Sequence, residues 1–130
     1  MELTIDKFMT PMPHSIAPNQ TLRAAHQMMR SHGIRHLPVL EGGRLVGILS
    51  ERDLHLVETL DEVDLDAVTV DEAMTPEPYT VGPHAHLRTV ASAMADHKHG
   101  STVILRGGRV IGIFTTIDAL RALAALVPAP

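Results

Sequence analysis

Two short segments of this chain place a hydroxyl three residues ahead of a carboxylate: Ser50 with Asp53, and Thr115 with Asp118. Each follows an apolar run, residues 45–49 and 110–114, so each falls where a strand gives way to a helix. Two chemistries fit that spacing. In the first, the hydroxyl accepts from the third helical N–H and the carboxylate lies at the positive end of the helix dipole, which is a capping box and nothing more. In the second, the outward N–H groups of the turn and the hydroxyl take a phosphate, while the carboxylate, which repels phosphate, accepts two hydrogen bonds from a ribose diol.

Arg35 and His36 lie just ahead of the apolar run 37–40. Arginine offers a fixed fork of donors and histidine adds charge below neutrality, so the pair can clamp a phosphate; otherwise they are a solvated cation and a surface imidazole. Sixty-five residues further along stand Gly100 and Ser101, with Val103 in place of Pro38 and Ile117 in place of Arg52. Cationic help is therefore concentrated in the first half, and a polyphosphate is expected to prefer that side. Tyr79 has a face on which a base can stack, although one Tyr beside a Pro-rich segment more often packs locally. The nine histidines include pairs at 84/86, 97/99 and 32/36, but none has a zinc-type pattern or a carboxylate at ligand spacing. No metal site is expected. No P-loop, nucleophile elbow or base–nucleophile pair is present either, so no catalytic residue is assigned.

The elements that must position these groups follow from a repeat. Shifting the sequence by 65 residues aligns 4–53 with 69–118 without a gap, and eighteen of the fifty pairs are identical. Among them are Met9/Met74, Thr10/Thr75, Pro11/Pro76, Gly47/Gly112 and Asp53/Asp118. The chain is a tandem duplication, with repeats at 1–62 and 69–130 and an acidic connector at 63–68. In each copy a short helical turn opens at Thr4 or Thr69, with Thr69 and Glu72 spaced as a capping box. Extended Thr-Pro-x-Pro follows, then a short strand at 15–17 or 79–81. An amphipathic helix comes next, over 22–31 and 87–97, with Gly33 and Gly100 as helix exits or in the loops beyond them. Two strands joined by Gly42-Gly43 or Gly107-Gly108 form a hairpin, and a last helix runs from Ser50 or Thr115 to about Leu60 or Leu126. Each repeat thus reads β-α-β-β-α, and at about 60 residues each is too small to bury its own apolar faces well.

Composition narrows the function classes. The 130 residues carry 45% apolar side chains and a net charge of −4, and only Phe8, Tyr79 and Phe114 are aromatic. A basic footprint and a stacking platform are both missing, so nucleic acid is not expected as a partner. The chain has no cysteine, which removes disulfides and thiolate chemistry. The N-terminus lacks a signal-peptide pattern and the most apolar stretch, 119–127, is too short to span a bilayer, so no membrane is expected and the cytoplasm is the expected location.

The order of elements resembles the CBS (cystathionine-β-synthase-type) domain, present as a tandem pair. The residues that carry the resemblance are Met-Thr-Pro at 9–11 and 74–76, Gly-Ile-Arg-His-Leu-Pro-Val at 33–39, Gly-Ile-Leu-Ser-Glu-Arg-Asp at 47–53 and Gly-Ile-Phe-Thr-Thr-Ile-Asp at 112–118. It covers the chain from about Lys7 to Leu123 and leaves no room for an attached domain, so a stand-alone pair is expected. The resemblance implies an α/β (α+β) fold, two repeats packed with pseudo-two-fold symmetry into one globule. It also implies a non-enzymatic regulatory module that needs no cofactor, binds AMP, ADP or ATP in clefts between the repeats, forms a disc-like homodimer and acts on a regulated protein the sequence does not name. Under it Ser50, Thr115, Arg35, His36 and Arg52 meet phosphate and Asp53 and Asp118 the ribose. Ile16, Val81, Leu37, Pro38, Thr102, Val103 and Tyr79 would line the adenine clefts. Alternatives are S-adenosylmethionine or NAD as ligand, or a structural dimerisation module with no physiological nucleotide.

Overall fold

The two Gly-Gly pairs need positive φ, and the structure, a computed structural model describing residues 2–130, has it at all four glycines: 57° and 80° at Gly42 and Gly43, 57° and 78° at Gly107 and Gly108. Such turns match the twist of the strands they join. Strand β2 (His36–Glu41) therefore pairs antiparallel with β3 (Arg44–Ser50), from His36 opposite Ser50 to Glu41 opposite Arg44, with a one-residue register shift between Val39 and Leu40. The second copy repeats this with β6 (Ser101–Arg106) and β7 (Arg109–Thr115), from Ser101 opposite Thr115. Each hairpin is preceded by an eleven-residue helix, α1 (Leu22–His32) or α4 (Leu87–His97). Leu22, Ala25 and Met29 are the buried face of the first, and Leu87, Val90 and Met94 that of the second. Helices α2 (Glu51–Glu58) and α5 (Thr116–Leu126) leave the last strand of each hairpin directly.

The compact units are offset from the sequence repeats. One unit is the continuous stretch His14–Pro78; the other joins Tyr79–Pro130 to the N-terminal segment ending at Pro13. Each repeat's opening segment thus docks on the other repeat's hairpin. In the first unit, α3 (Val70–Ala73) buries Val70, and β4 (Thr75–Pro76) adds to the edge of β3 opposite Gly47 and Ile48. In the second, a 3-10 turn (Ile5–Lys7) buries Ile5, and β1 (Thr10–Pro11) adds to β7 opposite Gly112 and Ile113. The sheets run β2-β3-β4 and β1-β7-β6-β5, where β5 is Thr80–Val81 and lies parallel to β6. Repeat one has a single parallel bridge, Ile16 to Val39, in place of β5. A methionine fills the space beside each of these glycines: a Cβ on Gly47 would stand 2.4 Å from the Met74 sulfur, and one on Gly112 2.2 Å from that of Met9, so a side chain at either place would push the methionine aside.

Local details depart from expectation. Thr69 does not cap α3; its hydroxyl donates to the carboxylates of Asp71 and Glu72, which compete for the only proton it has. Thr4 likewise makes no cap with its side chain. Gly33 closes α1 in the left-handed conformation, but in the second copy Lys98 does this at φ 56°, so Gly100 lies beyond the helix exit.

Two aliphatic cores result. One gathers Ile16, Leu22, Leu37, Val39, Leu49, Leu54 and Val70; the other gathers Ile5, Leu87, Val90, Ile104 and Phe114. Thr102, fully buried on β6, has the one buried side-chain oxygen without a hydrogen-bond partner among the described residues. Repeat one has Leu37 at that position. An unpaired buried hydroxyl loses its hydration for nothing. Thr102→Val is therefore expected to stabilise the protein by about 1 kcal/mol, read as a higher urea midpoint at unchanged slope; a lower midpoint would contradict it.

Candidate functional site

The strand-to-helix turns form as capping boxes in both copies. Ser50 Oγ accepts from the Asp53 amide at 3.1 Å, and the Asp53 carboxylate accepts from the Ser50 amide at 2.9 Å. Thr115 and Asp118 repeat this at 3.4 and 2.9 Å. A helix start leaves its first amides without intrahelical partners, and most are used here. The Glu51 amide donates to the Arg35 carbonyl at 2.8 Å, and the Thr116 amide to the Gly100 carbonyl at 3.3 Å. Among the described residues the Arg52 amide in α2, the Ile117 amide in α5 and the Ser50 hydroxyl proton have no partner, whereas the Thr115 hydroxyl is engaged with Asp118.

The two carboxylates are not in the same state. Asp53 is half-buried, and the Ser50 amide is the donor to its side chain among the described residues. Asp118 is 6% exposed; besides the Thr115 amide its carboxylate accepts the Thr115 hydroxyl at 3.2 Å and, on its other oxygen, the Thr10 hydroxyl at 2.9 Å. The sequence pattern could not show this, because Thr10 lies 108 residues away.

Around Ser50 and Asp53 the hairpin brings His36, the cross-strand neighbour of Ser50. Burial pushes the His36 imidazole below its ordinary value, and the nearby Asp53 charge offsets this in part. His36 is therefore neutral at neutral pH, with its cationic form confined to more acidic conditions. Arg35 is exposed at the entry to β2, and Arg52 is exposed one residue into α2. The backbone gathers Arg35, His36, Ser50, Arg52 and Asp53 at one corner of the unit His14–Pro78. Its counterpart holds Thr115 and Asp118 with Gly100, Ser101 and Ile117, and no cation at these positions.

The residues expected as apolar walls divide. Ile16 and Leu37 point into the first core, and Thr102 and Val103 are fully buried. Pro38 is buried on β2, whereas Val81 is half-buried at the edge of the second core. The Tyr79 ring is stacked on that of His99 at 5.5 Å. At the corresponding place in the other unit His14 stacks on His32 at 3.6 Å. Among the described residues no three His, Asp or Glu side chains gather as metal ligands, and no helix is long and apolar enough to cross a membrane.

Comparison with known proteins agrees with this double architecture. The CBS domain family matches residues 5–57 and 70–125. An inosine-5'-monophosphate dehydrogenase of Korarchaeum cryptofilum is 33% identical over 105 residues, which cover 80% of this chain and 21% of the dehydrogenase. The CBS domain-containing protein YhcV of Bacillus subtilis is 31% identical over 110 residues, 85% of this chain and 78% of that protein. The chain thus spans about a fifth of the first relative and most of the second. The CBS-pair protein CBSX2 from Arabidopsis thaliana, solved in complex with AMP, shares the fold with a TM-score of 0.86 at 24% identity, over 96% of this chain and 99% of that one. Two matched segments, a gapless repeat of 65 residues and the recurring helix-start box lead to one assignment: the chain belongs to the CBS domain family, as a tandem pair.

Proposed function

We propose that this CBS pair is a non-enzymatic regulatory module that binds an adenine nucleotide at its strand-to-helix turns and works as a homodimer. The observation that carries this reading is the corner at α2. There a free oxygen of Asp53, the Ser50 hydroxyl, the Arg52 amide and the neutral His36 lie together beside two exposed arginines. A carboxylate with an unused oxygen suits a ribose diol, and a hydroxyl, an amide and arginine forks suit phosphate. Among the described residues no hydrogen bond joins the Ser50 hydroxyl to the neighbouring His36 imidazole, and Thr115 has Ser101 across the strand, so neither turn holds an activated nucleophile, which supports binding rather than catalysis. CBSX2 binds AMP within the same fold, which makes AMP the first ligand to try.

The test is calorimetric titration of the whole chain with AMP, ADP, ATP, S-adenosylmethionine, NAD and GTP. An adenosine ligand is expected to bind, and Asp53→Ala to weaken it at least about tenfold, the loss of one or two hydrogen bonds to a charged group. Arg35→Ala is expected to weaken ATP more than adenosine; equal losses would remove Arg35 from the phosphate. If none of the six binds at millimolar concentration, the reading falls and a purely structural pair takes its place.

A further inference from the structure

The two helix-start boxes have the same sequence pattern and the same capping bonds, yet only one carboxylate is free. Thr10 and Thr75 are equivalent residues, at equivalent register opposite Ile113 and Ile48. Thr10 donates to Asp118 at 2.9 Å. No such bond joins Thr75 to Asp53 among the described residues. The Asp118 carboxylate therefore has three donors from its own unit and lies almost fully buried, while Asp53 has one and is half-exposed.

From this difference we propose that Thr10 is an internal competitor for the diol, which makes the two sites unequal. This inference rests on the nucleotide reading and deepens it. A ribose reaching Asp53 gains its hydrogen bonds outright. A ribose reaching Asp118 must first displace the Thr10 hydroxyl, exchanging one charge-assisted hydrogen bond for another with little net gain. Thr10 belongs to β1, so that displacement also loosens the side chain that ties β1 to α5. The Asp118 site thereby reports its occupancy to the N-terminal segment, a link that the Asp53 site lacks. The cations at Arg35 and Arg52 favour the same first site for phosphate, but the Thr10 effect needs no phosphate and appears with the bare nucleoside.

The experiment uses adenosine, which removes the arginines from consideration. In an Asp53→Ala background only the Asp118 site keeps its carboxylate, and weak binding is expected there. Adding Thr10→Val, which keeps the shape and deletes the hydroxyl, is expected to tighten adenosine about tenfold, whereas Thr10→Ser should leave it weak. Circular dichroism and thermal melts verify that each variant is folded, and 2'-deoxyadenosine should lose the gain, because it lacks the diol. If Thr10→Val leaves affinity unchanged or weakens it while wild type binds, this inference is overturned alone and Thr10 becomes a group that helps the ligand. If wild type binds neither adenosine nor any of the six ligands above, both the nucleotide reading and this inference fall; if it binds AMP while Thr10→Val brings no gain for adenosine, only this inference falls.

Discussion

Ile5→Ala is expected to lower the free energy of unfolding by about 3 kcal/mol, the usual cost of emptying a buried branched side chain to alanine. Ile5 is fully buried in the core of the second unit, among Leu87, Val90, Met94, Ile104 and Phe114. Its segment is tied on both sides. The Ile5 amide donates to the Ala85 carbonyl at 2.7 Å, and the Leu87 amide donates to the Leu3 carbonyl at 2.7 Å. Further along, Met9 covers Gly112 and β1 extends β7. Ile5→Asp should be worse, since it adds an unpaired buried charge to the cavity. Against a total stability of about 5–15 kcal/mol, that change is enough to unfold the unit. Urea denaturation of both variants, with exposed Lys7→Ala as a neutral control, measures this. A loss below about 1 kcal/mol for Ile5→Ala would mean that the segment does not complete the core.

That segment also marks where the sequence stops being informative. The hairpins were readable because Gly-Gly has few other uses between apolar runs, and the observed strands differ from the expected ones by a residue at each end. Helices α1 and α4 were readable because three apolar positions recur at helical spacing. Which hairpin each opening segment joins could not be read. Residues 4–13 and 69–78 are near-copies, each offers a Met to a glycine, and Gly47 and Gly112 accept either equally well on paper. The choice is made by chain connectivity in three dimensions, which local patterns do not encode. The same limit applies to the site. The capping boxes are local and formed as their spacing requires. The orientation of Ile16 and Leu37 was not local: a continuous apolar run leaves open which face meets the core, and both proved to be core. The helix-start pattern is the same at Asp118 and Asp53, and the residue that distinguishes them, Thr10, is brought to Asp118 by the opening segment and not by local sequence.

Leu120→Glu combined with Leu123→Glu is expected to turn the proposed homodimer into a monomer. The two copies of the last helix have diverged on one side. Where α2 carries Arg52, His55 and Glu58, α5 carries Ile117, Leu120 and Leu123. The first set is at home in water. The second leaves Leu120 60% and Leu123 58% exposed, with Leu126 and Val127 continuing the patch. The only charges on α5 are Asp118, which is buried, and Arg121, so nothing on this side opposes apolar association. A second copy is the partner that presents the same patch, and a two-fold contact would bury each leucine twice. At about 1.5–3 kcal/mol for each buried leucine, the four leucines of such a contact carry enough free energy that replacing them with glutamates weakens it by several orders of magnitude. The new carboxylates would also face one another, and like charges across an interface add to the loss. Sedimentation or light scattering of wild type and the double variant at matched concentration decides it. A dimeric wild type beside a monomeric, folded variant supports the contact, and a monomeric wild type ends it. Asp118 is anchored in the same helix, so the element that carries this apolar patch also carries the carboxylate that Thr10 holds.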